Sequence, residues 1–233
     1  MKNAILLNAT FFIATLSVST LTLAGSVSVQ VVDKDGKPTA DAVVVLMPSA
    51  KGSAPKTLLP ILATVVQEKM QFVPSVSVVP LGAKVKFVNN DPWDHHVRGS
   101  AAGAAQFSST NAQVFDMRLE GKSDGKPAKS GEIVLDKPGA VGASLLGCFL
   151  HGSMRGHVYV SDSPWAAKTG ADGMATFTDV PDGAAQVKVW QADQLIDLPL
   201  QQVYVGNTPV QVKSQLQVVP RRPRVVPTTT YSG

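Results

Sequence analysis

The stretch Gly147-Cys148-Phe149-Leu150-His151-Gly152-Ser153-Met154-Arg155-Gly156-His157-Val158-Tyr159-Val160 decides how this chain is read. Its second half alternates, with Val158 and Val160 on one face, and predicts a strand over 156–160. Its first half places a thiol, an imidazole and a thioether at even three-residue intervals, Cys148, His151 and Met154. Gly152 and Gly156 are expected to give this loop the backbone freedom to bring the three side chains to one point. The alternative is that the three residues are core filler. His157, alternating with Val158, reads as an ordinary strand residue, and Met117 as core.

A soft donor set of this kind suits copper, since thiolate and thioether favour Cu(I) while imidazole serves both oxidation states. Such a site needs a second imidazole. Working upstream, Val76 to Pro80, the turn Leu81-Gly82 and the strand Lys84-Val85-Lys86-Phe87-Val88 lead into Asn89-Asn90-Asp91-Pro92-Trp93-Asp94-His95-His96. Adjacent side chains on a strand face opposite ways, so only one of His95 and His96 reaches the metal. Asp94 reads either as an acceptor that orients an imidazole or as an exposed turn residue. Trp93, Phe107, Phe149 and Leu150 read either as a shield over the metal or as ordinary packing residues.

Together the segments Phe72-x-Pro74, Gly82-x-x-Val85-x-Phe87-x-Asn89-Asn90 and Cys148-x-x-His151-x-x-Met154-Arg155-Gly156-x-Val158-x-Val160 resemble the cupredoxins, specifically the amicyanin and plastocyanin-like proteins with a short copper loop. The likeness spans about 70–160. It implies a Greek-key β-sandwich and one copper per chain, cycling between Cu(I) and Cu(II). The implied ligands are His95, Cys148, His151 and Met154, with His95 preferred to His96 by the count from Asn89-Asn90. His96 stands where the family typically has Asn, Asp94 where it often has Pro, and Gly152 where Pro is frequent. The resemblance further implies single-electron exchange with a redox protein partner through the edge of His151. An alternative is copper binding or delivery without electron transfer. No enzymatic activity is expected, because four histidines in the whole chain cannot build a second copper centre beside the first.

Composition agrees with an all-β protein: 44% of the 233 residues are hydrophobic, 16% are charged, and 19 Gly and 16 Pro punctuate short Val-rich runs. The formal net charge of +4 is too small to suggest nucleic acid as a partner. Lys2, an uncharged apolar-rich stretch and Leu23-Ala24-Gly25 have the order of a secretory signal over 1–24. The competing reading is a membrane anchor, but the many Ser and Thr dilute its hydrophobicity. The expectation is therefore export to the periplasm, with no stable membrane span once the signal is cleaved. Cys148 is the only cysteine, so it cannot form an internal disulfide there, which leaves burial, intermolecular pairing or metal ligation.

Two further stretches complete the chain. Val27, Val29 and Val31 alternate with polar residues before Asp33-Lys34-Asp35-Gly36, and a second apolar strand covers 42–47. Beyond Ser161 to Pro164, the segments Thr169-x-Ala171-Asp172-Gly173, Phe177, Asp179-Val180-Pro181-x-Gly183 and Val187-x-Val189-Trp190 resemble the small transthyretin-like or carboxypeptidase-regulatory β-domain. The expected division is a copper unit over 25–162, whose 25–60 segment either belongs to it or packs on the second module. A β-sandwich or meander module follows over 163–210, and a Pro- and Arg-containing tail over 211–233.

Overall fold

In the computed structural model, which describes residues 24–50, 52, 54–103 and 115–221, the first alternating run forms strand β1 (Ala24–Val32). Its Val27, Val29 and Val31 are fully buried, and each such side chain contributes roughly 1.5–3 kcal/mol of hydrophobic stabilisation. In β2 (Val43–Pro48) there is no alternation, because Val44 and Leu46 enter one core while Val43 and Val45 enter another. A strand covered on both faces needs an unbroken apolar run.

The chain continues through β3 (Leu62–Glu68), β4 (Gln71–Val73), β5 (Val76–Pro80), β6 (Lys84–Asn89), β7 (His95–Ala101), β8 (Phe115–Leu119) and β9 (Lys129–Val134). After a short 3-10 turn come β10 (Gly142–Cys148), β11 (Arg155–Ser161), β12 (Trp165–Lys168), β13 (Met174–Pro181), β14 (Gly183–Trp190), β15 (Gln201–Val205) and β16 (Val210–Gln215).

These strands make four sheets stacked in order. The first, β13-β1-β16, faces the second, β12-β2-β14-β15, across a Val-rich core closed by Trp165, Phe177 and Leu216. The third, β5-β11-β10-β7-β8, faces the fourth, β4-β3-β6-β9, across a core containing Phe72, Phe87, Leu146, Cys148 and Met154. Between the second and third sheets, Val43, Val45, Ala166 and Trp190 meet Val76 and Tyr159. The Tyr159 and Trp190 ring centroids are 5.6 Å apart, and burial pushes the Tyr159 phenol up to about 12. The molecule is thus all-β, a sandwich bearing the copper-loop motif joined to a second β-sandwich.

Strand pairing decides one open point of the sequence reading and revises two. Of the two placements left open for 25–60, β1 and β2 take the second, pairing with β13, β16, β12 and β14. The copper-motif sandwich, β3 to β11, is therefore inserted between β2 and its partner β12, which run side by side and bring the two ends of the insert together. Second, β12, β13 and β14 do not form a meander. β13 and β14 lie in facing sheets and each pairs with an N-terminal strand. Third, the tail expected from 211 begins with β16, which pairs parallel to β1. Leu216 beyond it is buried, and the Arg221 backbone N–H and guanidinium donate to Asp193. Residues 1–23 of the proposed signal, the end of the tail and Phe107 lie outside the described residues, and Ala24 opens β1.

Candidate metal centre

The third sheet gathers the candidate ligands. β7 and β10 are antiparallel with Val97 opposite Cys148, so His95, at the start of β7, and Cys148, at the end of β10, emerge at the same end. β10 then turns back into β11 with Gly147 opposite Arg155, and residues 148–154 project beyond that pair as a loop. The loop is tightened where the Met154 N–H donates to the His151 carbonyl, 2.9 Å. Neither Gly152 nor Gly156 has a positive φ, and Gly156 has a packing role instead. A Cβ on Gly156 would lie 2.8 Å from the Phe72 side chain, so close packing of β11 on β4 excludes larger residues there.

Cys148 Sγ lies 3.7 Å from His95 Nδ1 and 3.7 Å from His151 Nδ1, and the two Nδ1 atoms are 3.2 Å apart. A point roughly 2 Å from all three atoms exists inside this triangle, the bond length that nitrogen and sulfur ligands make to a first-row metal ion. Met154 is 1% exposed and packs in the same core as Cys148. His95 is fully buried, whereas His151 is partly exposed.

His95 is oriented by a residue that sequence reasoning passed over. Its Nε2 lies 2.7 Å from Asp91 Oδ2, itself almost fully buried. An ionised carboxylate only accepts, so the ring proton sits on Nε2 and the Nδ1 lone pair faces Cys148 and His151. The tautomer follows from the hydrogen-bond pattern. Asp91 also accepts from the N–H groups of Lys69 (2.6 Å) and Met70 (2.9 Å), both held at positive φ in the β3–β4 turn. Asn89, fully buried, accepts from the Asp91 N–H at 3.0 Å and donates to the carbonyls of Trp93, Leu119 and Glu120. Asp91 stands four residues before His95, and that spacing was the available signal.

Asp94 instead accepts from the Arg118 guanidinium and from the Gly121 N–H at 2.8 Å, and the Arg118 bond holds its carboxyl below the usual range. It is a partly exposed turn residue with no bond to an imidazole among its hydrogen bonds. His96 turns its ring away, pairing with Asp116 and lying 5.6 Å from the Phe149 ring, while its backbone N–H donates to Cys148 Sγ at 3.4 Å. Phe149 carries the Arg98 guanidinium over its ring at 4.9 Å. Phe149, Leu150 and Trp93 are 62%, 56% and 43% exposed, so they present an apolar surface and not a buried shield. Met117 packs against the core near Gly131, as expected of a core residue.

No family model and no curated protein matches the sequence. Several solved structures are similar to part of it. A copper-containing nitrite reductase from Thermus scotoductus SA-01 is 24% identical with a TM-score of 0.34, and the match covers 49% of this chain and 25% of that one. A purple cupredoxin from Nitrosopumilus maritimus is 19% identical with a TM-score of 0.31, over 42% of this chain and 99% of that one. Amicyanin from Paracoccus versutus is 16% identical with a TM-score of 0.32, over 50% of this chain and 97% of that one. The chain thus spans about a quarter of the nitrite reductase's length. No helix among the described residues is long and apolar enough to cross a membrane.

Proposed function

We propose that this chain is an exported type 1 copper protein that carries single electrons between redox partners and catalyses no reaction of its own. Its ligands are His95, Cys148, His151 and Met154. The observation that carries the reading is the triangle of Cys148 Sγ and two imidazole Nδ1 atoms, with the His95 lone pair directed inward by Asp91.

The donor set matches copper: two imidazoles and a thiolate with a neighbouring thioether serve both Cu(I) and Cu(II). Bound there, copper supplies a one-electron couple. The protein's part is to hold the donors still in either state. Asp91 fixes the His95 tautomer, the His96 N–H donates to the Cys148 sulfur, and the core packs Cys148 and Met154. Partly exposed His151, beside the exposed Phe149 and Leu150, is the edge through which a partner exchanges the electron.

Reconstitution with Cu(II) tests this. A thiolate-bound cupric ion gives strong absorption toward the red end of the visible spectrum, and Cys148→Ser is expected to abolish it while circular dichroism still reports a β-fold. Copper binding without colour would overturn the electron carrier in favour of copper delivery. His95→Ala is expected to bleach the protein, and His96→Ala to leave it coloured.

A further inference from the structure

The geometry points to a second binding site, for a small organic carboxylate, in the cleft between the two sandwiches. The cleft has a volume of about 500 Å³ and runs from the β1–β2 turn across β11 to the segment after β14. It shares Arg155, His157, Ala192 and Arg221 with an adjoining cavity of about 130 Å³. Neither cavity includes a candidate metal ligand.

Its charges are unevenly committed. Each of its three carboxylates has partners already: Asp33 accepts from the N–H groups of Asp35 and Lys37, Asp41 from Lys168 and Ser75, and Asp193 from Arg221. The Arg155 guanidinium and the Lys37 ammonium, both exposed, have no carboxylate partner among the described residues. Arg155 and Lys37 thus leave the cleft two uncommitted cations, the groups that bind an anion, and a guanidinium fork matches a carboxylate in particular. The remaining wall is mixed, with Thr39, Ser75, Ser153 and Gln191 beside apolar Val76, Ala192, Val219 and Pro220, and the apolar part suits an anion with a hydrocarbon body. His157, mostly buried against the Trp190 ring at 5.3 Å, lines both cavities beside Arg155.

Titration of the full chain with benzoate, followed by calorimetry and by amide chemical shifts, tests the assignment. Saturable one-site binding is expected, with the largest shifts at Ser153, His157 and Ala192. Benzyl alcohol, which keeps the ring and loses the charge, is expected to bind at least tenfold more weakly. So is benzoate to the Arg155→Gln variant, whereas Arg155→Lys, which keeps the charge but loses the fork, is expected to bind between that variant and wild type. Arg155 is exposed, so an unchanged melting temperature will show that the variants fold. The site is refuted if benzoate shows no saturation by about 20 mM, if Arg155→Gln binds as wild type, or if the shifts cluster outside the cleft. Inorganic phosphate binding as tightly as benzoate would overturn the carboxylate class, because the apolar wall would then contribute nothing.

Discussion

The two sandwiches are built by opposite routes. The copper-motif sandwich is one continuous stretch, β3 to β11, and the groups that give it chemistry sit where strands end: His95 opening β7, Cys148 closing β10, and His151 and Met154 on the loop between β10 and β11. The other sandwich is assembled from both ends of the described chain, with β1 and β2 each flanked by C-terminal strands. Its core is Val, Ala, Leu and two aromatics, and it holds no candidate ligand. A site tolerates a local scaffold because three of its donors are already close in sequence. A core of alternating Val strands has no such local device, and it closes only when distant strands meet.

The largest expected effect separates the two directly. Val29→Asp would place an unpaired carboxylate in the centre of the end-to-end sandwich, at a cost of at least about 5 kcal/mol. Limited proteolysis is expected to cut β1 and β16 in that variant. If the reconstituted variant keeps its red absorption, the inserted sandwich stands by itself. If colour and β1 protection disappear together, the contrast drawn above is wrong and the four sheets fold as one unit.

Next in size is Asp91→Ala, which leaves the buried His95 Nε2–H and the Lys69 and Met70 N–H groups without their acceptor. Leaving a buried donor without its acceptor costs about 1–3 kcal/mol for each group. Loss of a residue that orients a metal-binding histidine lowers metal affinity by about 10–100-fold. Denaturant unfolding of the metal-free protein and competition with a copper chelator measure the two effects separately. A variant that loses stability but binds copper as wild type would show that Asp91 supports the turn and not the site.

The smallest effect concerns the contact between the sandwiches. His157 is held at about 4, below its usual 6.5, chiefly by burial, with Arg155 and Arg221 opposing its protonation and Asp193 favouring it. The unfolded chain binds this proton first, so the folded state loses stability as pH falls from about 6.5 to about 4 and loses no more from this group below that. The total is about 3 kcal/mol. Comparing wild type with His157→Gln by denaturant melts isolates it: the two should run parallel above pH 7 and diverge in that window. Curves that stay parallel throughout would mean that the ring is solvated in the native state.

Much of the site was legible in the sequence because it is local. Spacing alone placed Cys148, His151 and Met154 on one loop, and pleat geometry restricted the fourth position to one of two adjacent histidines. Asp91 was missed because a carboxylate in a turn looks the same in sequence whether it faces solvent or a buried ring. Only the fold of β6 into β7 brings it to His95 Nε2. The strands themselves were equally visible, since alternation is a property of neighbours.

Which strands pair is not a property of neighbours, and here the tertiary structure decided. The sequence by itself determined the all-β character, the alternating strand that follows Gly25, the loop bearing Cys148, His151 and Met154, and the two candidate histidines. It could not determine that β1 lies between β13 and β16, or that β2 is covered on both faces, because a run of valines pairs well with any strand of matching pleat. The choice was made by burial: the C-terminal strands had apolar faces with no local partner, and the N-terminal pair, apolar on the matching faces, completed both of their sheets.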